Sequence, residues 1–198
     1  MTVLAASRVD LLPGWLRWLW VAVYAAILVV HLRHAAAADG RRRGWHSVHT
    51  LMALGMLAMF LPPRLKPQEG AAGADAYAAA AAALAVWIGV RLARRRRVDL
   101  LWLVGLADTL AMVYMFALPA AAITALTAAL AGYFAAEAAG WTAGAFDGDG
   151  PLRRRVGRAR EPRPAEQLLR RSTFELRATL AAMALGMGYM LVAMQLAH

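Results

Sequence analysis

Thioether side chains are among the few with selectivity for Cu(I), and this chain distributes them by rule. Nine of its ten methionines fall in three apolar segments. The first holds Met52, Met56 and Met59 behind His49; the second holds Asp108, Met112 and Met115; the third holds Met183, Met187 and Met190, with Met194 one turn further on. Steps of four and three residues keep each set on one helical face. Aligned, the segments give three layers: Met52/Asp108/Met183, Met56/Met112/Met187 and Met59/Met115/Met190. Three thioethers converging on one point make a trigonal site suited to Cu(I), and stacked weak sites let an ion pass between layers. The competing reading is packing, because methionine fills irregular gaps, and Gly55, Gly186 and Gly188 beside the stripe suit close helix contact.

Asp108 occupies the slot of Met52 and Met183. At mid-bilayer a carboxylate costs about 2.5–3.5 kcal/mol on insertion scales, so a metal ligand, a proton carrier or a charge balance for a monovalent cation are its functional readings. A protonated aspartate bonded locally is the structural one. Four of the five histidines form pairs at i, i+3: His31/His34 and His46/His49. They flank one short loop, so they can meet as a cytoplasmic cluster receiving metal from the methionine layers, since imidazole binds copper well. Interfacial histidines hydrating a helix hairpin is the plain alternative. Glu137, Glu175 and Arg177 fall near inner helix ends, where Arg177 either snorkels or pairs with Glu137.

The elements that must carry these residues are membrane helices. The 198 residues are 61% hydrophobic, with mean hydropathy +0.49, and apolar runs of about 20 residues suffice to cross a bilayer. Absence of cysteine excludes disulfides, thiolate metal sites and cysteine nucleophiles. The net charge of +10 reads as a topology signal and an attraction of the arginine-rich loops to anionic lipid rather than as nucleic-acid binding. Paired carboxylates, a Ser-His set and an HExxH motif are all missing, so the chain reads as a non-enzyme.

The expected fold is all-α, a single domain over 1–198 with six transmembrane helices near 15–34, 45–61, 74–93, 98–118, 119–141 and 173–196. Pro119 suits a first helical turn and divides the long stretch 98–141. The basic residues support that division: 16 arginines fall to one side, in the 35–44, 94–97 and 142–172 loops plus Arg91, against Arg8, Arg17, Arg64 and Lys66 on the other. The positive-inside rule then places both termini outside the cytoplasm of a bacterial plasma membrane. The apolar stretch before Ala35–Ala38 is kept as the first span, since charge is heavier after it than before it. Ser172 with Glu175 reads as a capping box starting the last span near Thr173, and 164–171 reads as a short interfacial helix. Trp15, Trp18, Trp20, Trp45 and Trp141 suit interfacial belts.

Even spans repeat and odd spans connect, so three pseudo-repeated two-helix units are expected around a common axis. The run from His49 to Met59 and its partial copies resemble a family of uncharacterised actinobacterial membrane proteins, a source that the Ala/Arg-rich, lysine-poor composition also suits. In that pattern histidine opens the run, as His49 does, while Gly105 and Leu180 hold the corresponding slots of the other copies. The layers also look like those of trimeric copper-uptake channels whose pores stack Met triads, an analogy of site and not of chain. The leading expectation is a Cu(I)-binding membrane protein serving permeation, delivery or storage, with a copper chaperone or an oxidase-type complex as partner. The rival is a structural subunit of a membrane complex whose methionines only pack.

Overall fold

Six α-helices make up nearly all of the described chain. They are α1 (Gly14–Ala37), α2 (Gly40–Phe60), α3 (Ala71–Ala93), α4 (Leu100–Ala117), α5 (Thr124–Thr142) and α6 (Glu166–Leu196). The structure is a computed structural model, and it describes residues 13–38, 40–62, 65, 71–96, 98–117, 123–146 and 166–196. Four helices are long and apolar enough to cross a membrane: α1, Gly73–Ala93 of α3, α4, and Phe174–Leu196 of α6. The other two carry much of the polar chemistry: α2 holds Arg41–Arg43, His46 and His49, and α5 holds three threonines and Glu137. Those polar residues dilute the apolar content of helices otherwise of similar length.

Helix ends differ from the sequence expectation in three places. The loop expected over 35–44 is far shorter, because alanines at 35–37 continue α1 and α2 begins at Gly40. Gly40 has φ +53°, a left-handed conformation that glycine adopts without steric cost. Arg43 Nε donates to the Ala38 carbonyl at 3.0 Å, satisfying an acceptor just past the end of α1. The division of 98–141 stands, but α5 starts at Thr124 and not at Pro119, which lies outside the described residues. The Tyr114 hydroxyl organises that start: it accepts from Ile123 N at 3.0 Å and lies 2.8 Å from Thr127 Oγ1. Finally, α6 runs unbroken from Glu166, so Ser172 is inside a helix and is no N-cap. Glu-Gln-Leu-Leu-Arg-Arg contains only good helix formers, and nothing there stops the helix. The interfacial helix expected at 164–171 therefore merges with the last span. The rest of the arginine-rich loop, 147–165, lies outside the described residues, as does His198.

Sequential helices pack in pairs, α1 on α2, α3 on α4 and α5 on α6; between pairs, α2 touches α4 and α6, and α1 touches α6. Trp87 of α3 packs on Trp102 of α4 at 4.5 Å with Arg91 over its ring. Gln195 Nε2 donates to Thr124 Oγ1 and ties the end of α6 to the start of α5. The core is a cluster of Met52, Met56, Met112, Met115, Met183, Met187 and Met190 with Tyr24, Tyr77, Phe60 and Phe134. Trp15, Trp18, Val86, Leu103 and Leu126 project outward, as side chains facing lipid would.

A methionine core, a carboxyl pair and a histidine cluster

The three methionine segments meet the same surroundings position by position. Residues 52–53, 55–56, 108–109, 111–112, 183–184 and 186–187 are all buried. The leucine at the third position faces out each time: Leu54 is 51% exposed, Leu110 53% and Leu185 54%. Seven of the expected sulfur ligands, Met52, Met56, Met112, Met115, Met183, Met187 and Met190, are therefore in the interior, and Met59 is half-buried against them. Met112 reaches across from α4 until its Cε is 2.9 Å from where a β-carbon on Gly55 would stand.

Sequence reasoning missed what holds these helices in register. Each odd helix sends one tyrosine to an even helix of a different pair. The Tyr24 hydroxyl on α1 donates to the Met183 carbonyl on α6 at 3.0 Å. The Tyr77 hydroxyl on α3 donates to the Leu51 carbonyl on α2 at 2.7 Å. The Tyr133 hydroxyl on α5 donates to Asp108 Oδ1 on α4 at 2.8 Å. All three land at the level of the Met52/Asp108/Met183 layer. Gly186 and Gly55 make room for the first two, because a β-carbon at either would collide with the tyrosine hydroxyl. At the matching position α4 has Ala111, and there the tyrosine bonds a side chain instead of a backbone carbonyl.

Asp108 is thus buried, with one oxygen turned to α5, and it is not the only buried acid among the described residues. Glu137, one helical turn beyond Tyr133 on the same face of α5, interacts with both Asp108 and Tyr133. Glu137 Oε1 accepts from Trp141 Nε1 at 3.0 Å. Arg177 bonds the carbonyls of Trp141 and Thr142 and so caps the end of α5. The spacing Tyr133, Glu137, Trp141 at i, i+4, i+8 is visible in the sequence, although nothing there ties it to Asp108.

The two histidine pairs do meet. His31 Nδ1 lies 3.4 Å from His46 Nδ1; the His31 ring stacks on His49 at 5.3 Å between centroids, and His34 lies 5.1 Å from His46. Trp45 covers the group, 4.0 Å from His49 and edge-on to His46. Trp45 and Trp141 therefore do more than anchor an interface: each packs on, or bonds to, a polar group four residues away along its own helix. His49 Nδ1 donates to the Trp45 carbonyl and His34 Nδ1 to the Val30 carbonyl, both at 2.9 Å. A carbonyl only accepts, so these Nδ1 atoms carry the protons and each neutral ring keeps its lone pair on Nε2. Metal-binding histidines are commonly oriented in this way. His31 Nε2 is buried with no hydrogen-bond partner among the described residues. Among those residues no three histidine or carboxylate side chains are gathered closely enough to form a ready metal site, so shared ligation would need the rings to turn.

A family model described as a domain of unknown function (DUF5134) matches residues 41–194. The chain belongs to the DUF5134 family. The matched DUF5134 stretch starts in the first turn of α2 and takes in His46, His49, all three methionine segments and the Asp108–Tyr133–Glu137 group; α1, with Tyr24, His31 and His34, lies before it. No curated protein and no solved structure matches the chain.

Proposed function

We propose that this protein binds Cu(I) within the membrane, through methionines at the centre of six spans built as three copies of a two-helix unit. In this reading both termini lie outside the cytoplasm of a bacterial plasma membrane, and α2, α4 and α6 all run outward. The shared burial of Met56, Met112 and Met187, with the matched leucines facing out, is the observation that carries it. Sulfur from three helices is thereby kept away from lipid at one register. Thioethers are soft, uncharged donors that favour Cu(I) over hard cations, and Asp108 in the neighbouring layer supplies negative charge jointly with Glu137. His49, one turn before Met52, links this core to His31, His34 and His46, whose imidazoles receive copper near the arginine-rich side. That order of donors suits permeation, delivery or storage, with a copper chaperone or an oxidase-type complex taking the ion.

Purified protein titrated with Cu(I) against a chromophoric chelator tests the reading. Wild type should retain copper, and the variant with Met56, Met112 and Met187 all changed to Leu should lose most of it while melting within a few degrees of wild type. Methionine-to-leucine exchange conserves volume and costs less than about 1.5 kcal/mol per site. Equal retention by both proteins would eliminate the central layer as a site. The contact of Met112 Cε with Gly55 favours a second reading, in which the methionines only pack and the protein is a structural subunit of a membrane complex; that result would favour it.

A further inference from the structure

We propose that Asp108 and Glu137 form a proton-binding site between α4 and α5, one proton being shared by the two carboxyl groups. The inference concerns the metal-free protein and does not rest on copper binding.

Two observations converge on it. The first is the juxtaposition: Asp108 and Glu137 come from different helices, are both buried, and are brought together at Tyr133, whose hydroxyl bonds Asp108 Oδ1 one helical turn from Glu137. Two buried neighbouring carboxylates in a low-dielectric interior cannot both stay ionised without compensation, as in the dyads of aspartic proteases. The second is an acceptor without a donor. Glu137 is only 6% exposed, yet its Oε2 has no hydrogen-bond partner among the described residues. A buried acceptor left unmade costs about 1–3 kcal/mol, and native interiors rarely leave one so. A proton on Asp108 gives Oε2 the missing donor, and the pair then carries a single negative charge.

The remaining contacts suit that state. Tyr133 donates to Asp108 Oδ1 and Trp141 donates to Glu137 Oε1, so each carboxyl already has one fixed neutral donor and one oxygen left for the shared proton. The titratable or charged groups facing the pair are Asp108 itself from α4, Tyr133 and Glu137 from α5, and Arg177 from α6, which bonds the carbonyls of Trp141 and Thr142. Proton transfer between the two carboxyls needs no bond other than O–H to break or form, and a net proton enters or leaves without any redox partner.

Infrared spectroscopy of the full chain in lipid nanodiscs at neutral pH tests this. Exposed carboxyls are ionised there, so a protonated-carboxyl C=O band reports an interior acid. One protonated carboxyl per chain is expected, its band shifting when aspartate or glutamate carboxyls carry 13C and vanishing in Asp108→Asn/Glu137→Gln. The isotope arm needs no substitution and so holds even if the double variant folds poorly. Absence of the band in wild type, its insensitivity to both labels, or an intensity of two protonated groups per chain would each overturn the shared proton.

Discussion

A methyl group is tolerated at position 111 and excluded at 55 and 186, although the three positions are equivalent in the methionine register. Ala111 is buried in α4 while Tyr133 bonds the Asp108 side chain; at Gly55 and Gly186 the tyrosine hydroxyl occupies the space a β-carbon would need. Gly55→Ala and Gly186→Ala should therefore destabilise the protein by about 1–3 kcal/mol each through overpacking, seen as a lower midpoint in thermal unfolding in detergent. Ala111→Gly should cost no more than about 1 kcal/mol, the usual helix-propensity penalty. Equal effects at all three positions would break the link between glycine and tyrosine. The methionine face was legible in the sequence because its period repeats three times. Tyr24, Tyr77 and Tyr133 were not, since each stands alone in a helix rich in alanine and its partner is on another pair. Glu137 was misjudged for the same reason: its meaning depends on Asp108, 29 positions away, and no local period reports that neighbour.

At the scale of elements, the sequence identified the helices well and their ends poorly. Hydrophobic runs located the six described helices, whereas ends depend on particular bonds: Arg43 to the Ala38 carbonyl, Tyr114 to Ile123, Asp99 Oδ1 accepting from Leu101 N at 3.3 Å. The α1–α2 corner matters most, because its tightness is what brings His31 and His34 onto His46 and His49. Gly40 turns that corner with positive φ, and an alanine there adopts the left-handed conformation at about 1–2 kcal/mol. Gly40→Ala should lower the unfolding midpoint by a few degrees and loosen the histidine stack. The resulting change in His31 and His46 imidazole NMR shifts would be absent from a control alanine at the exposed Leu54. An unchanged histidine spectrum together with unchanged stability would show that the corner does not depend on the glycine.

For the whole molecule, the proposed six-span arrangement makes a topological prediction that the natural lack of cysteine makes easy to read. Single cysteines replacing Arg95, between α3 and α4, and Leu196, at the end of α6, should react with an impermeant maleimide from opposite sides of sealed vesicles. Arg95 should label from the cytoplasmic face. Labelling of both from one face would refute the parity of spans drawn from the arginines.

The continuity of α6 has a mechanical consequence. Its 31 residues extend roughly 45 Å at 1.5 Å per residue, against a hydrocarbon thickness of about 30 Å. Phe174–Leu196 is long and apolar enough to cross lipid, while Glu166, Arg170 and Arg171 put charge in the turns before it, so with the apolar stretch in a bilayer those turns would act as a stiff handle outside the hydrocarbon. A rod without a joint transmits torque: whatever grips the handle rotates Met183, Met187 and Met190 together, and a load on those sulfurs is felt at its far end.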